Sequence, residues 1–326
     1  MSRPISMRSA TGDALAGWPP PVLDPAGPYA GSTNLLAWVL FGVAGLVLLV
    51  VLAALWVALF GSEKTRRKLG GTRVVWIGGI AFPVVVLTGL LVFGLSVTRN
   101  LTAPISGNEM RVRVSGEMWW WRVAYLGADG QPVLHDANEL HIPVGEPVVL
   151  ELESADVIHS FWVPRLSGKL DMLPGRTNIM RIQADRPGQY GGMCAEYCGG
   201  PHALMGFVVV AHPREAFIAL MARRRAAAAP AASGEAAQGA QLFTQTGCAA
   251  CHRIAGTPAN GLAGPDLSHV GSRRTLGAGI LPNNRGTLIG WIANSQAIKP
   301  GNRMPAYSTL SADQLRALAV YLESRR

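Results

Sequence analysis

The chain has 326 residues, enough for two or three domains of ordinary size. It is 49% hydrophobic and 15% charged, with a mean hydropathy of +0.24, which excludes a disordered chain and is too apolar for an ordinary soluble enzyme. The net charge of +9 does not indicate nucleic acid, because no basic cluster is interleaved with stacking aromatics.

Residues 1–33 are polar and proline-rich, as in Trp18-Pro-Pro-Pro21, and are expected to form an outer N-terminal segment without an apolar core of signal-peptide length. Residues 35–60 and 74–97 carry no charge over 26 and 24 positions. Each run exceeds the roughly 20 residues that a bilayer core requires. The competing reading, two buried helices of a large soluble core, fits uncharged runs of this length poorly. Residues 34–99 are therefore expected to form a transmembrane hairpin. Its loop holds Lys64, Arg66, Arg67, Lys68 and Arg73, which places the loop on the cytoplasmic side and both termini outside. Pro83 in the second span is tolerable, because neighbouring groups can satisfy the carbonyl it frees.

From residue 100 to 221 the pattern changes to short period-2 stretches such as Met110-Arg-Val-Arg-Val114 and Val148-Val-Leu-Glu-Leu-Glu153, separated by Gly, Pro, Asn and Asp. That is the pattern of a β-sandwich. Residues 222–234, low in complexity and rich in Arg and Ala, read as a linker with helical character at its start. Residues 235–326 contain two amphipathic helix candidates, 235–246 and 312–324, the second opened by the capping box Ser311-Ala-Asp-Gln314. The sequence between them is Gly- and Pro-rich, so a covalent cofactor is expected to supply apolar mass to a thin core.

All four cysteines fall into two clusters, Cys194/Cys198 and Cys248/Cys251. Disulfides are one use for four outward-facing cysteines, but each pair stands beside further metal-binding side chains. Gly247-Cys248-Ala-Ala-Cys251-His252 is a haem c attachment motif, in which two thiols join the haem vinyl groups and the adjacent imidazole reaches the iron. Met304 is the only Met after residue 221 and the expected distal ligand, with His269 its rival. A zinc site or redox dithiol is the non-haem alternative.

The other cluster, Cys194-Ala-Glu196-Tyr-Cys198-Gly-Gly-Pro-His202-Ala-Leu-Met205, has His159 upstream. One Cys, two His and a weak Met would make a single-copper site. Two thiolates on one loop can instead bridge two copper ions, each taking one imidazole, with Met205 and the Glu196 carbonyl as weak ligands. A tetrahedral zinc site of His159, Cys194, Cys198 and His202 is the structural alternative, and Met205 could be ordinary core.

Residues 235–326 resemble a small class I cytochrome c. Gly239, Phe243 and Tyr321 look like its helix-crossing contact, and Gly264-Pro265 looks like the turn whose carbonyl holds the proximal His. From Val22 onward the chain resembles subunit II of haem-copper cytochrome c oxidase, in the caa form with a fused cytochrome c. Pro174-Gly-Arg176-Thr-Asn178 and Trp119-Trp-Trp121 also look like family segments. The resemblance implies a multidomain membrane protein: a two-helix hairpin, a cupredoxin-like Greek-key β-sandwich and an all-α cytochrome c domain.

As function, the resemblance implies the electron-input subunit of a respiratory terminal oxidase, with electrons passing from a donor through haem c and a dinuclear copper centre to subunit I, which reduces oxygen to water. It makes Trp119 the surface aromatic through which electrons enter the copper domain; packing in an amphipathic strand is the plainer reading of that triplet. Glu196 would also bind magnesium at the contact with subunit I. The implied partners are subunits I and III, a donor such as a cytochrome c or a quinol-oxidising complex, and the lipid bilayer, with no nucleic acid. The implied place is a bacterial plasma membrane with both metal domains on the outer, periplasmic side. No carboxylate stands at the start of the second span, so no proton-uptake residue is carried over. A copper-containing nitric oxide reductase and a membrane-anchored copper carrier are the alternatives, and the covalent haem motif argues against the carrier.

Overall fold

The computed structural model describes residues 20–101, 107, 109–226 and 234–326. Residues 1–19 of the expected outer segment and 227–233 of the expected linker lie outside this set. Two compact units result, one of residues 29–104 and one of residues 1–28 with 105–326.

In the first unit, α1 (Pro28–Phe60) is followed by α2 (Glu63–Leu69), α3 (Thr72–Trp76), a π-helical turn (Ile77–Ala81) and α4 (Phe82–Leu101). α1 begins seven residues before the uncharged run, so its first two turns precede that run. Most large apolar side chains of both spans are exposed, Leu49 by 66% and Val85 by 70%, which suits lipid and not a packed soluble core. α2 lies within the expected loop, where Ser62 Oγ accepts from the Thr65 amide at 3.3 Å. The π turn sits just ahead of Pro83. Proline cannot donate to the helix ladder, and the Phe82 amide bonds Ile77 O, which shifts the local pattern.

The second unit opens with a chain segment tied to a sandwich, where the Ala26 amide donates to Arg165 O (2.7 Å) and the Asp185 amide to Ala26 O (2.8 Å). One five-stranded sheet has the order β3-β2-β1-β5-β8, from β1 (Met110–Glu117), β2 (Trp120–Leu126), β3 (Pro132–Ala137), β5 (Val148–Ser154) and β8 (Asn178–Ile182). The other has the order β4-β10-β9-β6-β7, from β4 (Glu139–Pro143), β6 (His159–Trp162), β7 (Lys169–Met172), β9 (Gly188–Cys194) and β10 (Gly206–His212). Trp121 fills the space between them, edge-on to Phe161 and Phe207 with ring centroids 5.7 Å away in each case.

α5 (Arg214–Arg225) runs through the start of the expected linker, and Arg224 within it is buried. The cause is an ion pair to Asp136 of β3, which no local pattern announces. The helical part contains α6 (Gly234–Gln245), α7 (Cys248–Cys251), a short ladder of β11 (Thr275–Leu276) and β12 (Leu281–Pro282), α8 (Arg285–Ile298) and α9 (Ala312–Glu323). α8 was not expected within the Gly- and Pro-rich stretch. Asn284 and Thr287 cap it reciprocally, and it kinks at Asn294. The Ser311/Gln314 box opens α9 as expected.

α6 crosses α9 at Gly239, with Phe243 edge-on to Tyr321 at 5.7 Å. A Cβ on Gly239 would stand 2.0 Å from Ala317 O and 2.7 Å from Tyr321 Cβ. Gly239→Ala is therefore expected to destabilise the helical part by about 1–3 kcal/mol despite alanine's better helix propensity, because a backbone carbonyl must move. Thermal unfolding of the full chain reads this, and an unchanged midpoint would refute the close-crossing argument.

Candidate copper and haem centres

On the sandwich, β6 begins at His159 and β9 ends at Cys194, and the pairing of the two strands sets Phe161 opposite Cys194. The Ala195 amide donates to Ser160 O (2.9 Å) and the Cys194 amide to Met205 O (3.0 Å), which pins both ends of the loop carrying Cys198 and His202. The side chains form a row. Cys194 Sγ lies 3.8 Å from His159 Nδ1 and 3.8 Å from Cys198 Sγ. Cys198 Sγ is 3.4 Å from His202 Nδ1 and 3.9 Å from Met205 Sδ, and the Glu196 carbonyl is 3.2 Å from Cys194 Sγ. Gly116 admits the His159 ring, since a Cβ there would come within 2.7 Å of it.

Asp156, which sequence reasoning did not single out, accepts from His159 Nε2 at 2.9 Å and leaves Nδ1 facing Cys194. Its place three residues before the histidine was the available signal, since ligating imidazoles commonly bond a carboxylate. Burial opposes charging of His159, but hydrogen bonds to Cys194 and Asp156 raise its pKa. The bond to Cys198 favours the Cys194 thiolate, while that thiolate and burial push the Cys198 thiol up. Two soft sulfurs, an imidazole at each end and a buried thioether fit copper.

In the helical part, His252 follows α7 and its Nδ1 donates to Pro265 O at 2.8 Å, the arrangement the cytochrome c resemblance implies. Nε2 is left for a metal. A Cβ on Gly264 would come within 2.7 Å of that ring, so the turn closes over the imidazole only with glycine. Burial lowers the His252 pKa and keeps the ring neutral, as a ligand must be.

A cavity of about 370 Å³ opens on Cys248, Cys251 and His252, with Met304 and the apolar Leu288 and Ile292 also lining it. The Met304 loop is held by its amide donating to Asn302 Oδ1 (2.8 Å) and its carbonyl accepting from Ser295 Oγ (2.9 Å) and Gln296 Nε2 (2.7 Å). Two thiols, a neutral imidazole and a thioether around an apolar cavity fit a covalent haem. His269 is not among the lining residues. It is buried, and its Nε2 donates to Arg224 O at 3.0 Å.

Trp119 joins the two sites. It lines the cavity, and its indole Nε1 donates to Cys198 O at 2.9 Å while its ring lies over Gly199 and Gly200. It is half-buried, at the face of the sandwich that the helical part covers. Sequence reasoning also missed Asp136, fully buried between Arg224 and Arg273, and the buried Lys299. Burial resists ionisation of Asp136, but the two guanidinium groups outweigh it and hold the carboxyl well below the usual range.

Residues 126–212 match the family described as cytochrome C oxidase subunit II, periplasmic domain, and residues 236–326 match cytochrome c. The chain is 35% identical over 315 residues to cytochrome c oxidase subunit 2 of Alkalihalophilus pseudofirmus, covering 93% of this chain and 90% of that one. The chain belongs to the cytochrome c oxidase subunit 2 family. Subunit 2 of Bacillus sp. (strain PS3) is 29% identical, over 81% of this chain and 77% of its own. The crystal structure of the periplasmic domain of subunit II of cytochrome oxidase of Bradyrhizobium japonicum covers 37% of this chain and 96% of that one, at 29% identity and a TM-score of 0.32. Membership makes this subunit II part of an oxidoreductase complex with an electron-input role, anchored by its apolar helices with an outer cupredoxin-like domain. The family implies copper on the sandwich and haem on the helical part.

Proposed function

We propose that this chain accepts electrons from an external donor at a haem c held by Cys248, Cys251, His252 and Met304, and delivers them through a dinuclear copper centre to the haem-copper subunit I that reduces oxygen to water. The copper ligands are His159, Cys194, Cys198, His202 and Met205, with the Glu196 carbonyl as a further weak ligand. The Glu196 carboxylate binds magnesium against subunit I. The complex, with subunit III, sits in a bacterial plasma membrane, both metal domains outside, and its donor is a cytochrome c or a quinol-oxidising complex.

The observation that carries this reading is Trp119, whose ring borders the cavity of the haem motif while its indole N–H bonds the carbonyl of Cys198. A haem with His and Met ligands and a thiolate-bound copper pair supply reversible one-electron chemistry without an open site for oxygen. The row of side chains supports two copper ions. His159, Cys194 and Cys198 lie within 4.8 Å of one another, whereas His202 reaches the row only through Cys198. The residue 100–221 region carries a net charge of −4 and the residue 235–326 region +5, which favours their association.

The test is paramagnetic resonance and rapid reduction of the full chain in its oxidase. One electron shared by two coppers, a low-spin haem and haem reduction preceding copper reduction are expected. Trp119→Phe should leave haem reduction by the donor intact and slow copper reduction strongly. A single-copper or zinc signal would overturn the dinuclear reading. Nitric oxide consumption without oxygen consumption would overturn the oxidase assignment.

A further inference from the structure

Lys299 follows α8 and is 3% exposed, although lysine is among the residues least often buried. Its Nζ donates to three backbone carbonyls: Trp119 O at 2.6 Å, Leu204 O at 2.7 Å and Gly277 O at 3.0 Å. The ammonium has three N–H groups, and each finds one acceptor. Two of the acceptors belong to the sandwich and one to the helical part. Leu204 precedes Met205, and Trp119 is the residue between the two centres.

The same face is closed by backbone. The Gly206 amide donates to Ala278 O at 2.9 Å, and a Cβ on Gly206 would meet that oxygen at 2.9 Å. Ala278 has φ of 67°, between Gly277 at 66° and Gly279 at 88°. A left-handed alanine persists only where its surroundings hold it, and here its carbonyl is seated on the copper loop. Four residues past Lys299, Arg303 approaches Asp156, the partner of His159, at 3.4 Å. The segment from Lys299 to Met304 therefore contacts Asp156, which backs His159, and Leu204, which precedes Met205, and it supplies the cavity's thioether.

We propose that Lys299 is a positioning residue: its three carbonyl bonds lock the haem-bearing part onto the copper loop, so that the seating of one domain sets the placement of Trp119 and of the backbone beside Met205 in the other. This goes beyond the electron-transfer reading, since it assigns the docking to one side chain and ties the copper loop to the haem domain's position.

The experiment is amide hydrogen exchange on the full chain within its oxidase, comparing the native protein with Lys299→Met. Methionine keeps the length and removes all three donors. The reporters are the amides of Gly206 and Arg274, which bond Ala278 O and Glu139 Oε2 across the interface. The references are amides of α6 and α9. Loss of three hydrogen bonds should speed exchange at the reporters by about 10- to 100-fold while the references keep their protection. The resonance signal of the copper centre should shift in the same variant.

Unchanged reporter exchange would overturn the proposal. So would a loss of protection that extends into α6 and α9, because Lys299 would then be a core residue of the helical part alone. Exchange does not depend on electrons moving, so its failure leaves the functional reading standing, and failure of that reading leaves the exchange result interpretable.

Discussion

Asp136→Asn is expected to destabilise the second unit by about 3–5 kcal/mol, because it leaves two buried guanidinium groups without their counter-charge. The Asp136 side chain is fully buried, Arg224 and Arg273 are 4% and 5% exposed, and Arg273 Nε lies 2.8 Å from Oδ1. Asparagine matches the shape, so no cavity contributes, and its NH2 group turns one of the two acceptors into a donor that faces a guanidinium N–H. The unfolding midpoint of the detergent-solubilised chain should fall by about 6–20 °C for a unit of this size. The exposed pair Arg214–Glu146 is the control, with an expected cost of about 0–1 kcal/mol for Glu146→Gln.

The pH dependence has a definite sign. Asp136 has a folded pKa held below its unfolded value, so its stabilisation is complete above the unfolded value of about 3.9 and is lost as pH falls toward the folded one. The difference between native and variant proteins should therefore be constant from neutral pH down to about 5 and shrink below about 4. Equal midpoints at neutral pH would refute the argument.

Cys198→Ser is expected to abolish copper binding in the native stoichiometry and to reduce oxygen consumption to background. Cys198 Sγ is the junction of the row, close to Cys194 Sγ, His202 Nδ1 and Met205 Sδ. A serine hydroxyl is neither soft nor ionised at neutral pH, so it cannot replace a bridging thiolate. The Cys198 carbonyl still accepts from Trp119 after the change, so the fold and the haem should persist. Met205→Leu should behave differently, keeping copper and shifting its potential, because the thioether is a weak ligand. Copper-to-protein ratios and redox titrations of the two variants separate these outcomes. Full oxidase activity in Cys198→Ser would rule out the copper relay.

Much of the candidate site was legible because its chemistry is local. Cys248, Cys251 and His252 fall within five positions and need only one turn of helix to converge. The segment from Cys194 to Met205 spans 12 residues, so its ligands are held together by one loop between two strands. The two spans were legible for a related reason, since a lipid environment demands long uncharged runs that few other structures require. The capping box at Ser311 was equally local. α8 was not, because the Gly- and Pro-rich composition around it outweighed the Asn284/Thr287 cap in the reading of that stretch.

The hairpin, the sandwich pattern and the two cysteine clusters are each written in residues close together in the chain. How the regions that carry the two clusters meet depends on partners far apart in sequence. Arg224 joins Asp136 across 88 positions, Arg273 joins it across 137, and Lys299 reaches the Trp119 carbonyl across 180. A buried charge is tolerable only where folding delivers its partners, and backbone carbonyls as acceptors leave no mark on residue type. For that reason Arg224 read as part of a solvated linker and Lys299 as one more basic residue, while in the folded chain both are buried where the sandwich meets the helical part.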